Sequence, residues 1–395
     1  MTMKSFFSKL TVWKVIAGII LASGAVATCI RFTQGLGAST HLSDRFPWGI
    51  WIGFDILCGV GLAAGGFTLA AIVYIFNIKR YEPIIRPTIL TAFMGYVLVV
   101  VALMFDLGRP LQIWHAIIMW NHHSVMFEVA WCVMLYNTVL ALEFAPVILE
   151  KFKMTKTQQM LHRISIPLII LGVLLSTLHQ SSLGSLYLIL PEKLYGLWYS
   201  SYLPIMFYVS AIAVGCAMII FESCMSSRAF QRGLEIPLLS ELARVSVVML
   251  GVYATMKVLD LNDRDALSLL VIPRWETYMY WLEVIVGIVL PIVLFSQRKI
   301  RESRNGLFIG ATTIIIGFIL NRLNISITGL ESWAGISYFP SWMELAVTAS
   351  IVTAGFIIFS LAAKHLPIFK HEPPVSNELH AAPFERDLMV VSRQQ

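Results

Sequence analysis

Read only for its hydrophobic and polar positions, the chain alternates long apolar runs with short polar breaks. Ten apolar stretches stand out, at 12–32, 48–77, 87–106, 124–145, 161–183, 203–223, 241–260, 275–296, 306–326 and 343–363. A helix needs about 20 residues to cross a hydrocarbon core ~30 Å thick, so each stretch is long enough or nearly so. The alternating pattern of barrel strands is absent, and backbone inside lipid must satisfy its own hydrogen bonds. The pattern therefore predicts an all-α integral membrane protein with about ten transmembrane helices. The first stretch follows Lys4, Lys9 and Lys14 and is not ended by a small-residue cleavage site, so it reads as a retained signal-anchor helix.

Composition agrees. Hydrophobic types make up 57% of the 395 residues and charged types 13%, about half the charged share of a soluble domain. No polar segment is long enough for a separate soluble enzyme. Residues 1–366 read as one polytopic domain, and 367–395, with Pro373 and Pro374, as a mobile cytoplasmic tail. The five cysteines are scattered without paired spacing, which argues against iron–sulfur clusters, structural zinc and disulfides.

The net charge of +6 matters less than its distribution. With the N-terminus taken as cytoplasmic, 21 of the 29 Lys and Arg residues fall in inner segments, six in outer segments, and Lys257 and Arg322 within spans. That bias puts both termini in the cytoplasm with an even number of helices. The positive charge is thus a topology signal rather than a nucleic-acid patch. The outer segments are rich in aromatics such as Trp114, Trp120, Trp198 and Trp275, as expected for interface anchoring or for a docking surface.

Ionisable groups inside a bilayer are costly and mark function by default. Near the outer face the sequence sets Asp55 on the second helix, Asp106 with Arg109 just beyond it at the end of the third, Glu128 early in the fourth and His179 late in the fifth. Near the inner face stand Arg86, Glu143 and Glu222, with Tyr96 about midway. Together the two sets suggest a proton route across the bilayer. A structural hydrogen-bond network and interfacial snorkelling are the alternatives. In the second half, Lys257 and Asp260 are expected to neutralise each other, and Glu283 to pair with Arg322. A b-type haem needs paired axial ligands on apposed helices, and only His179 is clearly inside a span, so no haem is expected.

The run Phe46-Pro47-Trp48-Gly49-Ile50-Trp51-Ile52-Gly53-Phe54-Asp55, continuing into the glycines of 59–66, resembles the second helix of the NrfD/polysulfide-reductase membrane-subunit family. Further matches are Arg86-Pro87, Asp106-Leu107-Gly108-Arg109, Ser124-Val125-Met126-Phe127-Glu128, Leu142-Glu143-Phe144-Ala145-Pro146, the run from His179 to Leu186, Phe221-Glu222 and the run from Tyr338 to Glu344. The resemblance spans nearly the whole chain and is nearest to the ten-helix, hydrogenase-2-type (HybB-like) branch. It implies two four-helix bundles, helices 2–5 and 6–9, in a bacterial inner-membrane subunit that is not catalytic alone. It also implies menaquinone or ubiquinone bound near the periplasmic face, with no haem or iron–sulfur cluster in this chain. Electrons would pass to or from a docked ferredoxin-like 4Fe-4S protein and, through it, hydrogenase small and large subunits. Asp55, Glu128 and His179, with Asp106 and Arg109, would bind or protonate the quinone, and Tyr96, Arg86, Glu143 and Glu222 would carry protons. A molybdopterin or cytochrome c partner, a secondary transporter using the same buried charges, and a passive membrane anchor are the competing readings.

Overall fold

The structure, a computed structural model, describes residues 12–231 and 233–368. Lys4, Lys9, Arg232 and residues 369–395, which hold nearly all of the expected tail, lie outside the described residues.

Ten helices are long and apolar enough to cross a membrane: α1 (Val12–Gln34), α2 (Trp51–Ile75), α3 (Lys79–Asp106), α4 (Val125–Lys151), α5 (Ser165–Ile189), α6 (Leu203–Phe230), α7 (Ile236–Asp263), α8 (Trp275–Ser296), α9 (Arg304–Ala334) and α10 (Trp342–His365). Among the described residues there are no strands beyond one isolated bridge between Ser43 and Phe46. Short connections make successive helices antiparallel, so the termini of the helices gather at two ends. One end carries Trp48, Trp114, Trp198, Trp275 and Tyr338 and is called the aromatic end. The other carries Arg80, Lys151, Arg163, Arg228 and Arg298 and is called the basic end.

Helices α2 to α5 pack as one group and α6 to α9 as another, with α2 and α5 both against α6, and α2 also against α9. Helices α1 and α10 pair with each other and cover α2 and α3 from outside. Burial follows this arrangement, being greatest for α2 and α6 and least for α1 and α10. Small residues let the central helices approach. A Cβ added at Gly215 of α6 would meet the backbone of Ala64 and Gly65 of α2 at 2.9 Å. The glycines of the second helix thus serve close packing, the usual means of helix association where lipid supplies no hydrophobic drive.

Helix α2 is irregular. It opens with a π-helical segment at Trp51–Cys58, loosens at Ala63 and closes with a second at Ala71–Ile75. Similar wide turns interrupt α8 at Ile285–Val289 and α9 at Asn324–Thr328. Such segments re-aim side chains and recur at functional sites.

Helix ends are closed by distant side chains. Arg31 of α1 is buried and donates to the carbonyl oxygens of Phe105 and Leu107, each at 2.7 Å, capping the end of α3. At the aromatic end a buried Glu344 closes the start of α10. It accepts from the backbone N–H groups of Ser341 (2.8 Å) and His41 (3.0 Å) and from the Tyr338 hydroxyl (2.5 Å). The Tyr338 oxygen accepts in turn from Ile50 N–H at 3.1 Å, and the Tyr338 ring stacks on Phe46 at 4.9 Å. One carboxylate therefore latches the entry to α2 onto the entry to α10.

Candidate functional site

Helix α5 carries Ser176, His179 and Gln180 on a stripe that faces the bundle, because residues three and four apart share a helix face. All three are buried, as are Tyr96 of α3 and Tyr136 of α4. Tyr96 Oη is hydrogen-bonded to His179 Nδ1 at 3.1 Å, and the Tyr96 and Tyr136 rings meet edge to face with centroids 4.6 Å apart. Gln180 donates to the Val60 carbonyl of α2 at 3.1 Å, tying the stripe to the irregular helix. Towards the basic end, Glu143 lies over Gly172. A Cβ added at Gly172 would stand 3.1 Å from Glu143 Oε1 and 3.8 Å from the Tyr136 ring. The missing side chain leaves room for the carboxylate. Glu143, Tyr136, Tyr96 and His179 thus form a column inside the first bundle.

Several polar atoms of this column have no protein partner: His179 Nε2, Tyr136 Oη and Ser176 Oγ, with Tyr187 Oη nearby at the aromatic end of α5. Buried polar atoms are nearly always satisfied in native proteins. A cluster of them marks a place for water or for a ligand with donors and acceptors.

The remaining predicted residues are distributed otherwise. Asp55 is buried on the π-helical segment of α2 and accepts from Thr348 Oγ1 of α10 at 2.7 Å. It opens onto a lateral apolar cavity of about 410 Å³ that reaches Glu222. Glu128 stands exposed in the first turn of α4, behind the Ser124 cap. His179 sits ten residues from the end of α5, since that helix continues through a tight turn to Ile189. The expected common level of Asp55, Glu128 and His179 therefore needs correction: His179 lies deeper, at the level of Tyr96, and the three share no hydrogen bond. Nor do Asp106 and Arg109 pair. Arg109 is exposed, and the cation acting on Asp106 is Arg31 from α1. Arg86 turns outward, pairing with Glu150 at 3.2 Å and donating to the Pro367 carbonyl at 2.9 Å, so it fastens α3 to α4 rather than joining Glu143.

The second bundle pairs its charges differently from expectation. Glu283 of α8 takes Lys257 at 2.5 Å and also accepts from Asn321 (2.8 Å), Trp198 (2.9 Å) and Asn324 (3.0 Å). Asp260 pairs with Arg264 one turn on and accepts from Ser200. Arg322 reaches Asn321 and Ser210, between the faces of Phe207 and Phe318. Lys257 pairs with Glu283 across the helices, while Asp260 on its own helix is taken by Arg264 and Ser200. This satisfied cluster reads as structural.

The sequence reading missed Thr348, Tyr136, Ser176 and Arg31. The polar stripe Ser176, His179, Gln180 was visible as helical spacing. Thr348 carries no local signal, since its partner lies 293 residues away.

A match to the family described as polysulphide reductase, NrfD, covers residues 38–334. Among relatives, a protein of Nitratidesulfovibrio vulgaris is 39% identical over 93% of this chain and 96% of its own length. The probable Ni/Fe-hydrogenase 2 b-type cytochrome subunit of Escherichia coli is 34% identical over 89% of this chain and 90% of its own. The menaquinone reductase integral membrane subunit of Nitratidesulfovibrio vulgaris is 28% identical over 94% of both. The cytochrome in the second name invites a test for haem. Among the described residues only His179 is a histidine well inside a span, the other six standing in connections or at the end of α10. The lateral cavity is lined by no histidine or cysteine. Bis-histidine ligation, which takes one ligand from each of two apposed helices, does not fit these residues. With ten spans and a family match across its central eight, the chain is a multi-pass integral membrane protein that belongs to the NrfD family of polysulphide reductase membrane subunits.

Proposed function

We propose that this chain is the quinone-reactive membrane subunit of a respiratory redox complex, of the hydrogenase-2 kind. The reading rests most on the buried Tyr96–His179 pair with its unpartnered neighbours, inside a bundle and beside a helix whose Asp55 faces a membrane-side cavity. Reducing a quinone adds two electrons and two protons, and oxidising a quinol releases them. A histidine, tyrosines and carboxylates in one column are suited to deliver or remove those protons. The electrons come from or go to a partner, a ferredoxin-like iron–sulfur protein docked at the aromatic end, and beyond it hydrogenase small and large subunits. The names of the hydrogenase- and menaquinone-linked relatives support this choice of partner and substrate.

The basic residues gathered at the opposite end orient the aromatic end towards the periplasm of a bacterial inner membrane. Quinone binds towards that side, with Asp55 and His179 as its proton-exchanging residues and Glu128, Asp106 and Arg109 at the aromatic end beyond them. Glu143, Tyr136 and Tyr96 carry protons from the basic end, with Glu222 and Arg86 at the mouth of the route. Movement of protons towards a quinone near the far face would couple turnover to charge transfer across the membrane. The test is His179→Ala in the assembled complex. Loss of quinone-linked activity with the partners still bound supports the reading. Unchanged activity leaves the chain as an anchor.

A further inference from the structure

Helix α10 lies beyond the residues matched by the family, 38–334, yet it completes the lateral cavity and hydrogen-bonds Asp55 through Thr348. The cavity of about 410 Å³ runs between α2, α3, α6 and α10. Asp55 and Glu222 are its two carboxyl groups, and beyond Glu222 it runs on along α6 to Phe230. Its rim towards the lipid is formed by Met225 of α6, 40% exposed, and Phe356 of α10, 63% exposed. Resting on the quinone reading above, we propose that this cavity is the chamber for the isoprenoid tail of the quinone, entered laterally between α6 and α10, with the head group directed at Asp55.

Three observations favour that occupant. The walls between the two carboxyls are mostly phenylalanine, methionine and aliphatic side chains, which favour hydrocarbon over an ordered chain of water. No Lys, Arg or His lines the cavity, so a phospholipid phosphate would meet two carboxyl groups and no cation. The Asp55 carboxyl, held by the Thr348 hydroxyl behind it, instead matches the carbonyl or hydroxyl of a neutral quinone or quinol ring. Helix α3 stands between the chamber and His179, so His179 exchanges protons with the head group through Tyr96 and α3 rather than by direct contact. Gly95 and Val99 of α3 face the chamber while Tyr96, between them, faces the bundle.

The test uses the complex purified from its membrane and placed in lipid nanodiscs, with Met225→Trp and Gly355→Trp as separate variants. Turnover is measured with a long-chain quinone and with a tail-less analogue, and bound lipids are identified by mass spectrometry. The expected result is a KM for the long-chain quinone raised at least tenfold, with tail-less turnover within twofold of wild type, and loss of co-purified quinone. An equal change for both quinones, no change for either, or loss of a phospholipid in place of quinone overturns the chamber. If wild-type complex turns over neither quinone, the quinone reading itself fails, which is a separate outcome from failure of the chamber.

Discussion

Tyr96 of α3 and His179 of α5 meet at 3.1 Å through Oη and Nδ1, and the opposite ring nitrogen of His179 has no partner in the protein. The hydrogen bond fixes the ring, and the free nitrogen is left for water or substrate. The proposed role of His179 in proton exchange turns on this geometry. Replacing Tyr96 by Phe keeps the ring contacts with Tyr136 and removes the hydroxyl that makes this bond. Quinone-linked turnover is expected to fall by about 100-fold, the lower end of what lost acid–base assistance costs. The amount of assembled complex should stay at the wild-type level, measured in parallel on the same membranes.

Glu143 and Gly172 form the next link. Glu143→Gln removes the titrating group with little change of shape, and proton uptake linked to turnover is expected to drop while quinone binding persists. Gly172→Ala should weaken the same step more mildly, because its Cβ would sit 3.1 Å from Glu143 Oε1. Proton uptake in vesicles, compared with quinone turnover, separates the two. Unchanged proton uptake and unchanged turnover in Glu143→Gln would remove it from the proton route.

The second bundle provides a stability prediction. Glu283→Leu leaves Lys257 buried without its counter-ion, a defect expected to cost about 3–5 kcal/mol. Replacing both, Lys257→Met with Glu283→Leu, should recover most of that loss, since well-packed apolar pairs can replace buried ion pairs. Thermal unfolding in detergent of the two single variants and the double variant measures the coupling. A double variant as unstable as Glu283→Leu alone would show that Asn321, Asn324 and Trp198 depend on the carboxylate more than Lys257 does.

Arg31 makes a prediction on the opposite side of the molecule. Arg31→Ala opens the end of α3, freeing the carbonyls of Phe105 and Leu107 and leaving Asp106 without its cation. The loss is expected at about 1–3 kcal/mol per unsatisfied group. Arg109→Ala, at an exposed residue, should leave thermal stability nearly unchanged in the same assay.

Tyr338, in the connection before α10, gives a pH dependence. Burial and its hydrogen bond to Glu344 push its hydroxyl well above the usual tyrosine range. The protonated form is therefore favoured in the folded state. Its contribution is full below the ordinary tyrosine value of about 10 and is lost as pH rises beyond it. Wild type should lose stability between about pH 9 and about pH 11 more steeply than Tyr338→Phe. Tyr338→Phe should start lower at neutral pH, because Ile50 N–H and Glu344 each lose a partner. Thermal midpoints across that range read both effects.

What the sequence determined by itself follows from forces that act on one helix at a time. A span needs length and apolarity, so the ten helices and the gathering of basic residues at one end were legible from residue order, though not every helix end. The residues proposed to carry chemistry were also legible as polar types in apolar runs: Asp55, Tyr96, Glu143, His179 and Glu222. Which of them meet was decided only by tertiary structure. Helix α5 runs on to Ile189, and that extension alone moved His179 from the expected outer level to the level of Tyr96. Arg31 rather than Arg109 reached the end of α3, and Thr348 reached Asp55 across 293 residues, because α1 and α10 fold back over the first bundle. A side chain's cost in lipid is written in its type and depth. Its partner depends on how helices rotate and cross, and those angles are set by small residues such as Gly65, Gly172 and Gly215, whose effect appears only when another helix lies against them.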